Sequence, residues 1–212
     1  RLQDDPAIEA AATHLFARLG SESTLKSFTL SGARNERAIR NEAMIWLTGD
    51  DSSAHVAGGV VGADSAKIDN TVFLTHDAER CESRQVYKNV LAGRAKGVFQ
   101  GKILVKQGAQ KTDGYQISQS VLLDEFASFN AKPELEIYAD DVKCAHGTTV
   151  GQLQLDQVDY LRSRGIPRAV AERMLTQAFV RELVDDVACE PLREWLSAAV
   201  QARLDTMAQG GA

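Results

Sequence analysis

Cysteine is scarce in this sequence: Cys81, Cys144 and Cys189 are too few and too scattered for a disulfide framework, and none has a second cysteine at structural-zinc spacing. A reducing compartment, the cytoplasm, is the expected setting. Positive charge is not in excess either. With a net charge of -5 and no basic stripe to release counterions, nucleic acid is not expected as the main partner. The apolar runs fall far short of the roughly 20 residues that span a bilayer, so no membrane partner is expected. Tight-hairpin signals are almost missing, Asp113-Gly114 being the one pair of that kind, which argues against an up-and-down barrel or a sandwich.

What remains is a chain of 212 residues, 44% hydrophobic and 25% charged, enough for one substantial core and a small attached layer. It starts at Arg1 rather than Met and is expected to be part of something longer. From about Ser27 to Cys144, short β-prone segments alternate with Gly, Asp, Asn, Ser and Ala; "AMIWLTGDD", "TVFLTHDA", "GVFQGKILVKQGA", "SVLLDEFASF" and "ELEIYADDVKC" read as strands of about four to seven residues. Small residues recur just after them, at Ala54, Ala66, Ala78, Ala109, Ala127 and Ala139, at irregular spacings. Such loose periodicity suits a solenoid whose stacked turns bury a column of apolar side chains that no single turn could bury alone. A parallel β-helix is the candidate fold. The start is ambiguous, because Ile8, Ala12, Leu15 and Leu19 have helical spacing while "THLFARL" also alternates.

After Gly151 the texture changes. Leu155, Val158 and Leu161 give a short helical face, Gly165 a stop and Pro167 a new start. A second helix over about 167–187 aligns Ala171, Leu175, Phe179, Leu183 and Val187, and a third from about Pro191 aligns Leu192, Leu196, Val200 and Leu204. The tail "AQGGA" is expected to fray. The domain reading is therefore a β-helix over residues 1–150 and a helical domain over residues 151–212.

Few residues suggest chemistry. Cys144 and His146, two apart, would face the same side of a strand about 7 Å apart at ~3.3 Å per residue. Two ligands do not complete a metal site, which takes three or four, so a core thiol beside a turn imidazole is the plainer reading by composition. Asp140 and Asp141 are adjacent, point to opposite faces of a strand, and read as solvated turn charges. "GRAKGVFQGKIL" fails as a phosphate loop: three residues rather than four separate Gly97 from Gly101, and Ile103 stands where a hydroxyl is needed. His76 reads as a satisfied turn histidine, Trp46 and Trp195 as packing residues, and Arg34, Arg37 and Arg40 as a solvated face.

The stretch "AKPELEIYADDVKCAHGTTVGQLQLDQVDYLRSRGIP", with "RCESRQVYKNVLAGRAKGVFQGKILVKQGAQKTDGYQISQSVLL" upstream, resembles the SufB/SufD family, scaffold subunits of the SUF iron-sulfur cluster assembly machinery. The likeness is to the SufD side. SufB members typically carry "EHE" where this chain reads "AHG", and a cysteine near the position of Ser118, which this chain lacks. The resemblance implies a right-handed parallel β-helix, mainly β, followed by a C-terminal helical domain. It assigns "THLFARLG" to a β-helix turn.

The resemblance further implies a non-catalytic scaffold that pairs with a SufB-like subunit through the β-helix and binds a SufC-like ATPase through the helices. Tyr160, Leu161, Arg164, Met174, Leu175 and Phe179 are the candidate partner-binding residues. His146 matches a histidine implicated in cluster formation at the subunit interface, and Cys144 the neighbouring cysteine of the same motif. Both are candidate metal ligands, completed by the partner. No cofactor is expected to be held stably by the chain alone; a nascent iron-sulfur cluster is expected in the complex. A homodimer of the isolated chain is a further expectation. The alternative, a carbohydrate-active or acyl-transfer enzyme on a β-helix, calls for a charged cluster along one face or strict hexapeptide repeats, and neither stands out.

Overall fold

The structure, a computed structural model, describes residues 2–3, 9–185 and 187–208. Ile8, part of the ambiguous helical spacing at the start, and residues 209–212 of the tail lie outside the described residues. In chain order the elements are β1 (Leu2–Gln3), β2 (Ala10–Leu19), β3 (Thr24–Ala33), β4 (Ala38–Leu47), β5 (Ser53–Gly62), β6 (Lys67–His76), β7 (Glu82–Leu91), β8 (Lys96–Val105), β9 (Thr112–Leu122), β10 (Ser128–Ile137), β11 (Val142–Gly151), α1 (Leu155–Ser163), α2 (Arg168–Asp185) and α3 (Glu190–Ala208).

Odd strands form one sheet in the order β1-β3-β5-β7-β9-β11, and even strands a second in the order β10-β8-β6-β4-β2. Every pairing is parallel and skips one strand. The chain therefore coils as a parallel β-solenoid, two strands to a turn. Corner contacts such as Lys106 Nζ to Asp77, 29 residues apart, give the length of a coil. The strands run to ten residues or so, longer than the sequence reading expects, and "SVLLDEFASF" spans the corner between β9 and β10 rather than one strand.

In-register stacking turns each inward position into a column. Ala17, Ile45, Leu74, Ile103 and Leu135 make one, with Ile45, Leu74 and Ile103 at most 1% exposed. Each such aliphatic burial contributes about 2 kcal/mol. One stacked polar pair inside bonds along its column: Asn41 Nδ2 donates to Asn70 Oδ1 at 2.9 Å.

Two corners close every coil. At one, Glu22, Asp51, Arg80 and Lys111 adopt left-handed backbone; at the other, Asn35, Asp64 and Gly93 do. Carboxylates tie these corners together, Asp64 accepting from the Asn35 amide at 3.1 Å and Asp124 from that of Gly93 at 2.6 Å. Five of the six small residues noted in the sequence resolve into the same two series, Ala78, Ala109 and Ala139 on one corner and Ala66 and Ala127 on the other, while Ala54 lies within β5. All five are buried.

The helices lie on the outer face of the odd-strand sheet. Val180, Val184, Leu196, Val200 and Leu204 pack on Leu30, Val61 and Val90. Lys88, on that outer face, is buried beneath α2, where its ammonium pairs with Glu182 and sits 4.6 Å from the Phe179 ring centroid. Trp46 and Trp195, expected in packing, are 37% and 51% exposed.

Candidate functional site

The solenoid ends in two terminal strands of unlike character. β10 carries Pro133, which lacks the amide a further strand would need, flanked by Lys132 and Glu134 in an ion pair. Glu136 pairs with Lys102 and accepts from the Tyr138 hydroxyl at 2.6 Å. Proline and charge blunt that edge. β11, "VKCAHGTTVG", has no proline, no acid and one lysine, Lys143, and among the described residues only β9 pairs with it.

Register fixes which way β11 side chains go. Cys144 pairs with Gly114, His146 with Gln116 and Thr148 with Ser118, and all three partners are buried. One coil earlier the same columns hold Ser83, Gln85 and Tyr87. Cys144 and His146 therefore share the strand face that looks into the bore, as their spacing predicts for an extended segment. His146 is exposed because no described coil stacks on β11.

Cys144 is half-buried and packs against Ile103, Val105, Ala109 and Ala139. Its Sγ lies 3.2 Å from where a Gly114 Cβ would stand, so that glycine gives the thiol its room. Burial raises the thiol pKa, a backbone hydrogen bond from Gly114 opposes this, and the Asp113 charge raises it further. At neutral pH the group is a thiol, and it becomes a ligand only when a metal displaces its proton. Among the described residues no three His, Cys, Asp or Glu side chains gather at one point. A complete metal site needs ligands from outside this set.

Below β11 the bore is polar. Gln85, Gln116 and Ser118 are fully buried, and the side-chain polar atoms of all three lack hydrogen-bond partners. His76, expected at a turn, instead closes β6 inside the bore. Its Nε2 is 2.9 Å from Ser83 Oγ and its Nδ1 3.4 Å from Thr112 Oγ1. Burial pushes its pKa down to about 4 against the opposing pull of Asp113. Gln85 and Gln116 escape sequence reading because "SRQV" and "DGYQIS" look like solvated strand; only the coil length reveals that their alternate positions point inward.

Asp140 and Asp141 are exposed corner residues, as expected. On the helices, Tyr160 is 59% and Met174 44% exposed, and the Arg164 guanidinium stands 5.3 Å over the Tyr160 ring. Leu161 and Leu175 are partly buried, and Phe179 packs into the cluster between helices and sheet. The six candidate partner-binding residues thus divide into an outer group and an inward one.

Fold and site together define a β-solenoid protein with a thiol and an imidazole at one open end and helices laid on one sheet. The chain belongs to the SufBD core family of the SUF iron-sulfur cluster assembly system, whose family model, described as "SUF system FeS cluster assembly, SufBD core domain", matches residues 1–179. It is 36% identical over 204 residues to the iron-sulfur cluster assembly protein SufD of Escherichia coli, covering 93% of this chain and 47% of that one. It is 28% identical over 173 residues to SufD of Bacillus subtilis, covering 82% and 40%. A SufBD family protein of Synechocystis is 38% identical over 144 residues, covering 68% and 31%. The chain spans about half or less of the length of these relatives.

Proposed function

We propose that this chain is a non-catalytic scaffold subunit of an ATP-dependent iron-sulfur cluster assembly complex. It pairs through β11 with a SufB-like subunit, carries a SufC-like ATPase on its helices, and lends His146 to a cluster completed by the partner. The observation that carries this is the open end. β11 offers a strand edge with no proline and a single lysine, and its bore-facing pleat brings an imidazole to that edge with too few companions to hold iron alone.

An extended strand joined edge to edge satisfies the idle backbone groups of both partners. Joining homologous solenoids in this way brings the two bores end to end. A thiolate from the partner and the His146 imidazole make a mixed ligand set of the kind iron-sulfur centres accept. Cys144 contributes a second sulfur if iron displaces its proton, and otherwise packs the wall. The exposed Tyr160, Arg164 and Met174 surface is where the ATPase docks, and α1 follows β11 after only the short segment 152–154.

Co-expression with a SufB-like subunit and a SufC-like ATPase tests the assignment. The expected result is a stable complex containing all three; a chain that elutes alone in the presence of both contradicts it.

A further inference from the structure

Three features of the bore converge on Gln116. It is fully buried, yet neither atom of its carboxamide has a hydrogen-bond partner. Across the bore Gly101 makes room for it, since a Cβ there would lie 2.5 Å from the carboxamide carbon. On its other side, one coil on, the in-register neighbour is His146 at the open end.

An amide left idle in the interior weakens a fold, a penalty that Gln85 one coil back in the same column shares and the apolar Val56 two coils back avoids. A neutral imidazole carries one donor and one acceptor nitrogen, and a carboxamide can answer either. When the carboxamide oxygen accepts from the ring N–H on its side, the other nitrogen is unprotonated and left for a metal, and that bond decides the tautomer.

We propose that Gln116 is a positioning residue for His146: its carboxamide, directly or through one water, holds the imidazole in a single tautomer with the free nitrogen turned toward the open end. The inference rests on the ligand role of His146 for its meaning, though not for its test.

The test is 15N NMR of the chain labelled at its histidines, with His146 assigned by its loss in His146→Gln. In alkaline buffer, the wild-type protein should show one tautomer at His146, and Gln116→Leu should release it to the mixture of free imidazole. Gln116→Met, unbranched and of similar size, gives the same reading should leucine disturb the coil. Identical tautomer populations in the wild type and both apolar variants overturn the proposal. In the assembled complex, Gln116→Leu should slow cluster maturation about 10- to 100-fold. If His146→Ala leaves maturation intact while Gln116→Leu still frees the tautomer, the ligand role fails and the positioning stands.

Discussion

A Cβ on Gly58 of β5 would lie 2.2 Å from the ring of Tyr87, its in-register neighbour in β7. That ring leans across the bore on Phe99 of β8, with centroids 4.8 Å apart. Glycine weakens a strand, and here it is the space the tyrosine needs. Gly58→Ala should destabilise the chain by about 1–3 kcal/mol through overpacking. The check is the denaturant midpoint, and an unchanged value would contradict this packing of the bore.

His76 makes the fold acid-sensitive. Its pKa in the folded chain is about 4, against an ordinary value of 6.5, because burial disfavours the imidazolium. The folded state keeps the ring neutral while the unfolded state takes up a proton, so its contribution is intact above pH 6.5 and is lost as the pH falls toward 4. The shift corresponds to roughly 3 kcal/mol. Unfolding measured across that window should show this decline, and His76→Gln should flatten it. Equal slopes in the two proteins would remove His76 from the account.

Lys88 and Glu182 join the odd-strand sheet to α2. The lysine side chain is 5% exposed and the glutamate 72%, so the pair is buried on one side only. Glu182→Ala strands a buried ammonium and should loosen α2 by about 1 kcal/mol, a figure reduced from that of a fully buried pair by solvent at the glutamate. Lys88→Met keeps the volume without the charge and should be nearly neutral. Hydrogen exchange of α2 amides separates these outcomes, and equal protection in Glu182→Ala and wild type would contradict the coupling.

The outer helical surface should be separable from the fold. Tyr160→Ser combined with Met174→Ser alters residues that are both more than 40% exposed, so the melting temperature should stay close to that of the wild type. Affinity for the ATPase should fall at least tenfold, as expected for exposed anchors in an interface. Retained affinity in a pull-down would move the contact elsewhere.

Much of this was legible in the sequence, and the reason for the rest is physical. The three helices follow from apolar spacing with Gly165 and Pro167 between the first two, and α1 to α3 lie where those signals put them. The strands are legible as strands, but the coil length is not. At one corner the left-handed positions are filled by Glu22, Asp51, Arg80 and Lys111, residues with no common signature, and at the other by Asn35, Asp64 and Gly93, three different residues, so no repeated residue displays the period. The pairing of Cys144 and His146 on one face follows from strand geometry. The polar column beneath them joins residues about 30 positions apart, and nothing local in "SRQV" or "DGYQIS" separates a lining amide from a solvated one.

The most direct measurement compares His146→Ala with the wild type in the reconstituted three-component complex, following the visible absorption of the assembling cluster while circular dichroism monitors the fold. The account predicts an intact complex and an unchanged fold with cluster formation abolished. Normal absorption growth in the variant would contradict it.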